Sequence, residues 1–338
     1  MRAWEIQGSF GLDHLRLTDR PEPRPGPGQL TVRLTAASIN YRDLLMVRGI
    51  YNPRQKLPLV PCSDGVGVVV ELGPGVRRFA VGDRVSPIFS QSWLEGPPDR
   101  RAERTTLGGP LDGVMQEYLV VHEDSAVAVP EHLSDDEAAC LPCAGVTAWR
   151  TVVTEGRVTA GDTVLTLGTG GVSLLAMQLA RLQGARVIIT SSSDDKLTRA
   201  SELGAHHTIN YRQVERWGKQ AARIAGDRGV DLVVEVGGAG TLDESLRAVR
   251  VGGTVALIGV LAGARSDVAL TRILMHSVRV QGIFVGNRAD FEALNRALSL
   301  HTDVRPIVDR VFDFATLPKA LRYLASGQHF GKVVVRAP

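Results

Sequence analysis

Three cysteines, Cys62, Cys140 and Cys143, are too few in a chain of 338 residues to build a disulfide framework, which agrees with a reducing compartment. Long apolar runs are missing as well. None approaches the ~18 residues of a membrane-spanning helix. The N-terminal Met-Arg-Ala-Trp-Glu-Ile-Gln-Gly carries Glu5 where a secretory leader needs an apolar stretch, so a cytoplasmic location is expected. There is no excess of one charge: the net charge is +3. No Lys/Arg cluster is dense enough for a nucleic-acid surface, and Arg100, Arg101 and Arg104 read as a solvated loop. Low-complexity tracts and internal repeats are absent. The remaining composition, 44% apolar and 22% charged, is that of a globular protein with room for about two domains.

The most informative stretch runs from Asp162 to Lys196. Val164–Leu167 reads as a short buried strand. Gly168, Gly170 and Gly171 make a tight turn directly after it. Leu174, Leu175, Gln178, Leu179 and Leu182 follow helical spacing, Gly184 ends the helix, and Arg186–Thr190 reads as a second buried strand. This is a strand–glycine turn–helix–strand unit of dinucleotide-binding type, in which backbone can approach a pyrophosphate and a helix N-terminus offers free N–H groups. The third glycine position of the fingerprint is Ser173, which is small enough for close helix–strand packing.

Upstream, residues 1 to about 125 read as short strands punctuated by Gly and Pro: Gln29–Ala37, Gly65–Leu72, a strand entered through Gly82-Asp83-Arg84-Val85, and Met115–Val121. Gln91–Asp112 is polar and reads as a long loop or lobe. Ser134 followed by Glu137 starts a short helix to Leu141, and a second helical run covers Thr147–Val153. From Asp162 onward strand and helix alternate. The strands are Val164–Leu167, Arg186–Thr190, His207–Asn210, Asp231–Val236, Thr254–Ile258 and Val278–Val285, which predicts an α/β doubly wound parallel sheet. A helix at 289–300 follows, then strands Val308–Asp313 and Lys332–Arg336.

Several segments in this order, Ser38-Ile39-Asn40-Tyr41-Arg42-Asp43-Leu44, Ser63-Asp64-Gly65-Val66-Gly67, Gly82-Asp83-Arg84-Val85, Leu167-Gly168-Thr169-Gly170-Gly171-Val172, Leu203-Gly204-Ala205 and His329-Phe330-Gly331-Lys332-Val333-Val334, resemble the medium-chain dehydrogenase/reductase superfamily over essentially the whole chain. The resemblance implies a Rossmann domain (131–286) inserted in a GroES-like β-rich substrate domain (1–130, completed by 287–338). It also implies a homodimer pairing through Val251–Ala262 and Leu270–Phe284.

Members of the superfamily divide into zinc alcohol dehydrogenases and zinc-free reductases. The positions matching the three catalytic ligands, two cysteines and a histidine, read Asn40, Ser63 and Cys143 here. One thiol cannot build a site that needs about three protein ligands. Residues 91–112 contain no cysteine for the structural zinc, and none of the eight histidines lies with ligand spacing beside Cys143. The chain is expected to be metal-free and to resemble the quinone oxidoreductase-like branch, with Cys143 a small buried residue beside the cofactor.

NAD enzymes place an Asp or Glu about 20 residues into the fingerprint to bind the ribose 2′-hydroxyl. Here that position is Ser191, followed by Ser192 and Ser193, with Lys196 in the next helix and Tyr211 after the third strand. NADP(H) is expected. The resemblance adds as cofactor contacts Thr147, Gly168, Gly170, Gly171, Val172, Gly237, Gly259, Phe284, Val285, Arg288 and Lys332. Without a metal, the oxygen gaining charge needs hydrogen-bond donors. Asn40, Tyr41 and Tyr51 are the candidates, although both tyrosines could simply pack beneath the cofactor. Asp43 and Asp64 are expected to orient Arg42 or backbone groups. The expected activity is NADPH-dependent reduction of a quinone or an α,β-unsaturated carbonyl. The alternatives are a carbonyl reductase or alcohol dehydrogenase, and a non-catalytic NADPH-binding protein.

Overall fold

The computed structural model describes residues 1–337. The chain divides into two units: unit 1 is 1–146 with 286–338, and unit 2 is 147–285. Residues 131–146, expected with the dinucleotide domain, therefore belong to unit 1.

Unit 1 begins with the strands β1 (Arg2–Ile6) and β2 (Leu15–Asp19), which pair antiparallel. Then come β3 (Gln29–Ile39), helix α1 (Tyr41–Val47), β4 (Asp64–Leu72), β5 (Arg84–Pro87), β6 (Tyr118–His122) and β7 (Ala126–Ala128). Helix α2 (Asp135–Ala138) is held by a capping box in which Ser134 and Glu137 cap each other's backbone N–H, and it is shorter than expected. Helix α3 (Val146–Trp149) starts at the boundary.

Unit 2 continues with β8 (Thr163–Leu167), α4 (Gly171–Leu182), β9 (Arg186–Ser191), α5 (Asp194–Glu202), β10 (His207–Asn210) and α6 (Trp217–Ile224). It ends with β11 (Val230–Glu235), α7 (Leu242–Ala248), β12 (Val249–Leu257), α8 (Leu270–Met275) and β13 (Arg279–Gly282). The last strand is shorter than the sequence suggests, because Val285 takes a positive φ of 51° that a strand cannot hold. All strand pairs are parallel, in the order β10-β9-β8-β11-β12-β13. This is the doubly wound order, with the first strand at the centre. β8 and β11 are buried along their whole length, as central parallel strands require.

The chain then returns to unit 1 as α9 (Arg288–Leu300), β14 (Val308–Asp313), α10 (Leu317–Ala325) and β15 (Lys332–Arg336). The seven-stranded sheet runs β14-β15-β3-β4-β5-β7, with β6 also paired to β3. One hydrophobic core joins the two pieces of unit 1. Leu34, Leu44 and Met46 from the first piece pack in the same cluster as Leu317, Leu321 and Val333 from the second. Each such buried side chain contributes about 1.5–3 kcal/mol. Trp4 Nε1 donates to Phe314 O at 2.8 Å across the same seam.

Candidate functional site

In unit 2, the glycine turn after β8 has the form the fingerprint predicts. Gly168 takes φ 72°, and a Cβ on Gly168 or Gly170 would meet no atom within 4 Å, so the backbone there borders open space. Gly170 is the N-cap of α4, and no side chain caps the helix, which leaves its first N–H groups and the positive end of its dipole for an anion. Ser173 does more than fit: it is buried, and its Oγ donates to Leu167 O at 2.6 Å, tying the helix to the strand it follows.

At the end of β9, Ser191 is buried; its carbonyl accepts from Tyr211 N at 3.1 Å, and its Oγ accepts from Ser193 N at 3.3 Å. Ser193 Oγ in turn accepts from Lys196 N at the start of α5. Ser191, Ser192, Lys196 and Tyr211 are thus brought together around one turn. Asp194 accepts from Asn210 Nδ2 at 2.7 Å and Gln213 Nε2 at 3.0 Å, so its charge is spent on neighbouring amides. Val172 lies in the first turn of α4, and Gly237 and Gly259 follow β11 and β12. Thr147 is buried; Phe284 and Val285 follow β13, the first half-buried and the second buried. These residues fit a dinucleotide: a glycine cradle, a helix N-terminus and a hydroxyl-rich turn at the second strand.

Unit 1 holds a buried polar cluster at the start of α1. Asn40 is the N-cap, and its N–H donates to Asp43 Oδ2 at 2.7 Å. Lys332 Nζ, from β15, donates to Asn40 Oδ1 at 2.5 Å and Ile39 O at 3.0 Å. Asn40 Nδ2 is buried with no partner within hydrogen-bond distance, and it faces Asp64, whose ionised form it favours. Asp64 accepts from Ser63 Oγ at 2.6 Å and from Cys143 N at 3.0 Å. Burial pushes both carboxyls up. Asp43 rises to about 6 despite the nearby Arg42 guanidinium, and Asp64 rises while the Lys332 ammonium and the Ser63 bond pull against it.

Arg42 is the joint of the same region. Its guanidinium lies 5.0 Å from the Tyr51 ring centroid and 4.8 Å from that of Phe89. It donates to Leu107 O at 2.9 Å, Gly109 O at 2.6 Å and Thr106 Oγ1 at 3.2 Å, pinning the lobe. Asp43 Oδ1 is 3.6 Å away. Tyr41 and Tyr51 are exposed residues, at 37% and 47%.

Two cations expected among the cofactor contacts are engaged inside unit 1. Lys332 is buried beneath Asn40, as above. Arg288, the first residue of α9, pairs with Asp124 at 2.8 Å and lies 3.6 Å from Glu292. Sequence reasoning also passes over Glu235, a carboxylate that closes the fully buried strand β11 after the apolar run Leu232–Val234; that position alone is the signal. The donor set at 40, 63 and 143 does not fit a zinc ion. Asn40 Oδ1 holds an ammonium, Ser63 Oγ holds a carboxylate, and burial keeps the Cys143 thiol protonated by pushing it well above its ordinary value. Among the described residues no group of three or more His, Cys, Asp or Glu converges as a metal site.

Residues 171–299 match the family described as zinc-binding dehydrogenase, and residues 26–131 match the alcohol dehydrogenase GroES-like domain. A zinc-type alcohol dehydrogenase-like protein of Schizosaccharomyces pombe is 40% identical over 333 residues, 96% of each chain. Among solved structures, an NAD-dependent alcohol dehydrogenase superposes with a TM-score of 0.91 at 34% identity, over 100% of both chains. The quinone oxidoreductase of Coxiella burnetii superposes with a TM-score of 0.81 at 26% identity, over 100% of this chain and 99% of that one.

Proposed function

Because the chain belongs to the medium-chain dehydrogenase/reductase superfamily, a family of nicotinamide-dependent oxidoreductases, we propose that it is a metal-free, NADPH-dependent reductase of quinones or α,β-unsaturated carbonyls. The observation that carries this reading is the occupied donor set: Asn40 Oδ1 is engaged by Lys332 and Ser63 Oγ by Asp64, which leaves Cys143 as the one thiol at the three positions. With no Lewis acid, a simple ketone or alcohol lacks what stabilises its oxygen. A quinone or enone needs less, because gaining hydride yields a delocalised phenolate or enolate that solvent can protonate. When bound, the nicotinamide supplies the hydride.

The chain's own residues then have these parts. The Gly168–Val172 turn and the N-terminus of α4 hold the pyrophosphate. Ser191, Ser192, Lys196 and Tyr211 receive the 2′-phosphate, since β9 ends in Ser191 rather than in a carboxylate and Asp194, in the first turn of α5, is engaged by Asn210 and Gln213. Thr147, Gly237, Gly259, Phe284 and Val285 line the remainder of the cofactor. Tyr51, its ring held against Arg42, donates to the oxygen that gains charge, with Tyr41 as the other donor; Asn40, expected as a third, has its Nδ2 buried facing Asp64 and braces this cluster instead. The protein acts in the cytoplasm as a homodimer. Support for the dimer comes from the open edge of β13 beside exposed Leu270, Leu274 and Met275.

The likeness to an NAD-dependent alcohol dehydrogenase favours one competing reading, oxidation of a simple alcohol with NAD. An acceptor panel with metal analysis separates the two. NADPH consumption on quinones or enones by protein free of zinc is the expected result. Background rates on those acceptors, together with turnover of a simple alcohol, would overturn the proposal.

A further inference from the structure

The carboxylate of Glu235 is wholly buried, yet it has four donors. Its Oε1 accepts from Gly237 N at 2.7 Å, Gly238 N at 3.0 Å and Thr241 Oγ1 at 2.6 Å, and Oε2 accepts from Ser245 Oγ. Its main-chain carbonyl serves the neighbouring strand: Ile258 N and Gly259 N both donate to Glu235 O, at 2.8 and 3.3 Å. One residue thus grips the turn after β11 with its side chain and the turn after β12 with its backbone.

The two turns are also stitched to each other. Leu261 N donates to Val236 O at 3.2 Å, Ala262 N to Gly237 O at 2.7 Å, and Ala239 N to Gly263 O at 2.9 Å. The stitching tolerates no side chain at its seams. A Cβ on Gly259 would lie 2.6 Å from Val236 O, and one on Gly237 would collide with Thr241 Oγ1. Segments 236–241 and 258–263 form a double loop at the carboxyl ends of two adjacent parallel strands, where ligands of doubly wound sheets bind.

A buried carboxylate needs such compensation, since four partners replace its lost hydration. Uncapped, the same two backbone N–H groups and two hydroxyls would be orphaned and the double loop would be free to open. We propose that Glu235 is the positioning residue that sets the Gly237 and Gly259 turns for the nicotinamide cofactor. The inference rests on the cofactor reading of unit 2 and deepens it.

The test compares wild type, Glu235→Leu and Glu235→Gln in NADPH and NADH titrations below the unfolding transition, with hydrogen exchange on the nucleotide-free proteins. Gln keeps an oxygen for three of the donors, and Ser245 Oγ can rotate to accept from the new amide. Glu235→Leu should weaken binding of the preferred nucleotide by at least about tenfold. It should also accelerate exchange at Gly237–Thr241 and Gly259–Gly263 while sparing the Gly168–Gly171 turn. Glu235→Gln should restore affinity to within about threefold of wild type. If Glu235→Leu does not fold, Thr241→Val with Ser245→Ala removes two of the four donors and should shift affinity and exchange in the same direction by a smaller factor. A folded Glu235→Leu protein with lowered melting temperature but wild-type affinity and unchanged loop exchange would overturn the proposal. Wild type that binds neither nucleotide would overturn the cofactor reading and this inference with it.

Discussion

Lys332, on the last strand of the chain, donates from Nζ to Oδ1 of Asn40, 292 positions earlier, at 2.5 Å. Lys332 is 4% exposed, so its ammonium is an internal charge. It is compensated by the Ile39 carbonyl, the Asn40 amide and the neighbouring Asp64 carboxylate. Lys332→Met would leave those acceptors unpaired and the carboxylates short of a counter-charge. A loss of about 3–5 kcal/mol in urea unfolding is expected. A loss below about 1 kcal/mol would show that the ammonium supports little.

Asp43 gives a pH signature. Its carboxyl is raised to about 6 from 3.8, chiefly by burial. Between those values the native state keeps a proton that the unfolded chain has released. Stability therefore falls as pH rises through that window and levels off above about 6. Asp43→Asn keeps an oxygen for the Asn40 N–H and cannot titrate. Denaturation midpoints at pH 5 and pH 7.5 should shift in favour of the variant at the higher pH. A variant that loses ground to wild type between pH 5 and 7.5 would contradict the raised value.

The thiols should be inert in the native protein. Burial pushes Cys140 up to about 12 and raises Cys62 well above the ordinary thiol range; Cys143, half-buried rather than buried as expected, is also raised, by desolvation and the nearby Asp64 carboxylate. A colorimetric thiol reagent should label none of the three in native buffer and all three in guanidinium. Rapid labelling of Cys143 in the folded protein would show a reactive thiol instead.

Cofactor choice can be read at Lys196. Lys196→Ala should weaken NADPH by roughly tenfold, about one charge-assisted hydrogen bond, and leave NADH nearly unchanged, measured by nucleotide fluorescence titration. Equal weakening of both nucleotides, or tighter wild-type binding of NADH, would move the assignment to NAD.

At Tyr51 only the hydroxyl is in question, because a Phe ring can still stack on Arg42. Tyr51→Phe should cut turnover on a quinone or enone by roughly tenfold to a hundredfold with little change in NADPH affinity. Unchanged turnover would assign the ring to packing alone.

The parallel sheet of unit 2 is legible in the sequence because each strand is a short apolar run between turn residues, and β10 matches its expected bounds to the residue. The same holds for β14 and β15. β1 and β2 escape notice because they mix Arg, Glu and Asp with apolar residues, and Trp4 and Ile6 are buried only by long-range contacts such as that with Phe314. The hydroxyl turn at Ser191 is local and readable. The duties of Lys332 and Glu235 depend on partners that come together only in the folded chain, so residue type alone points elsewhere. A lysine near the C-terminus suggests phosphate, whereas folding spends it on an amide.

The two-piece construction of unit 1 has a consequence for biogenesis. Unit 2 is contiguous, so all its strands are available while the remainder of the chain is still being synthesised. Unit 1 is not: β15 lies between β14 and β3, so until that final segment emerges the Ala36–Ile39 end of β3 has a bare edge and β14 has no strand neighbour. Asn40, Asp43 and Asp64 wait for their ammonium over the same interval. A nascent chain stalled before residue 332 would carry a complete unit 2 and an open, sticky sheet in unit 1. Such a chain is a natural client for a holdase chaperone and a natural target for quality-control proteolysis.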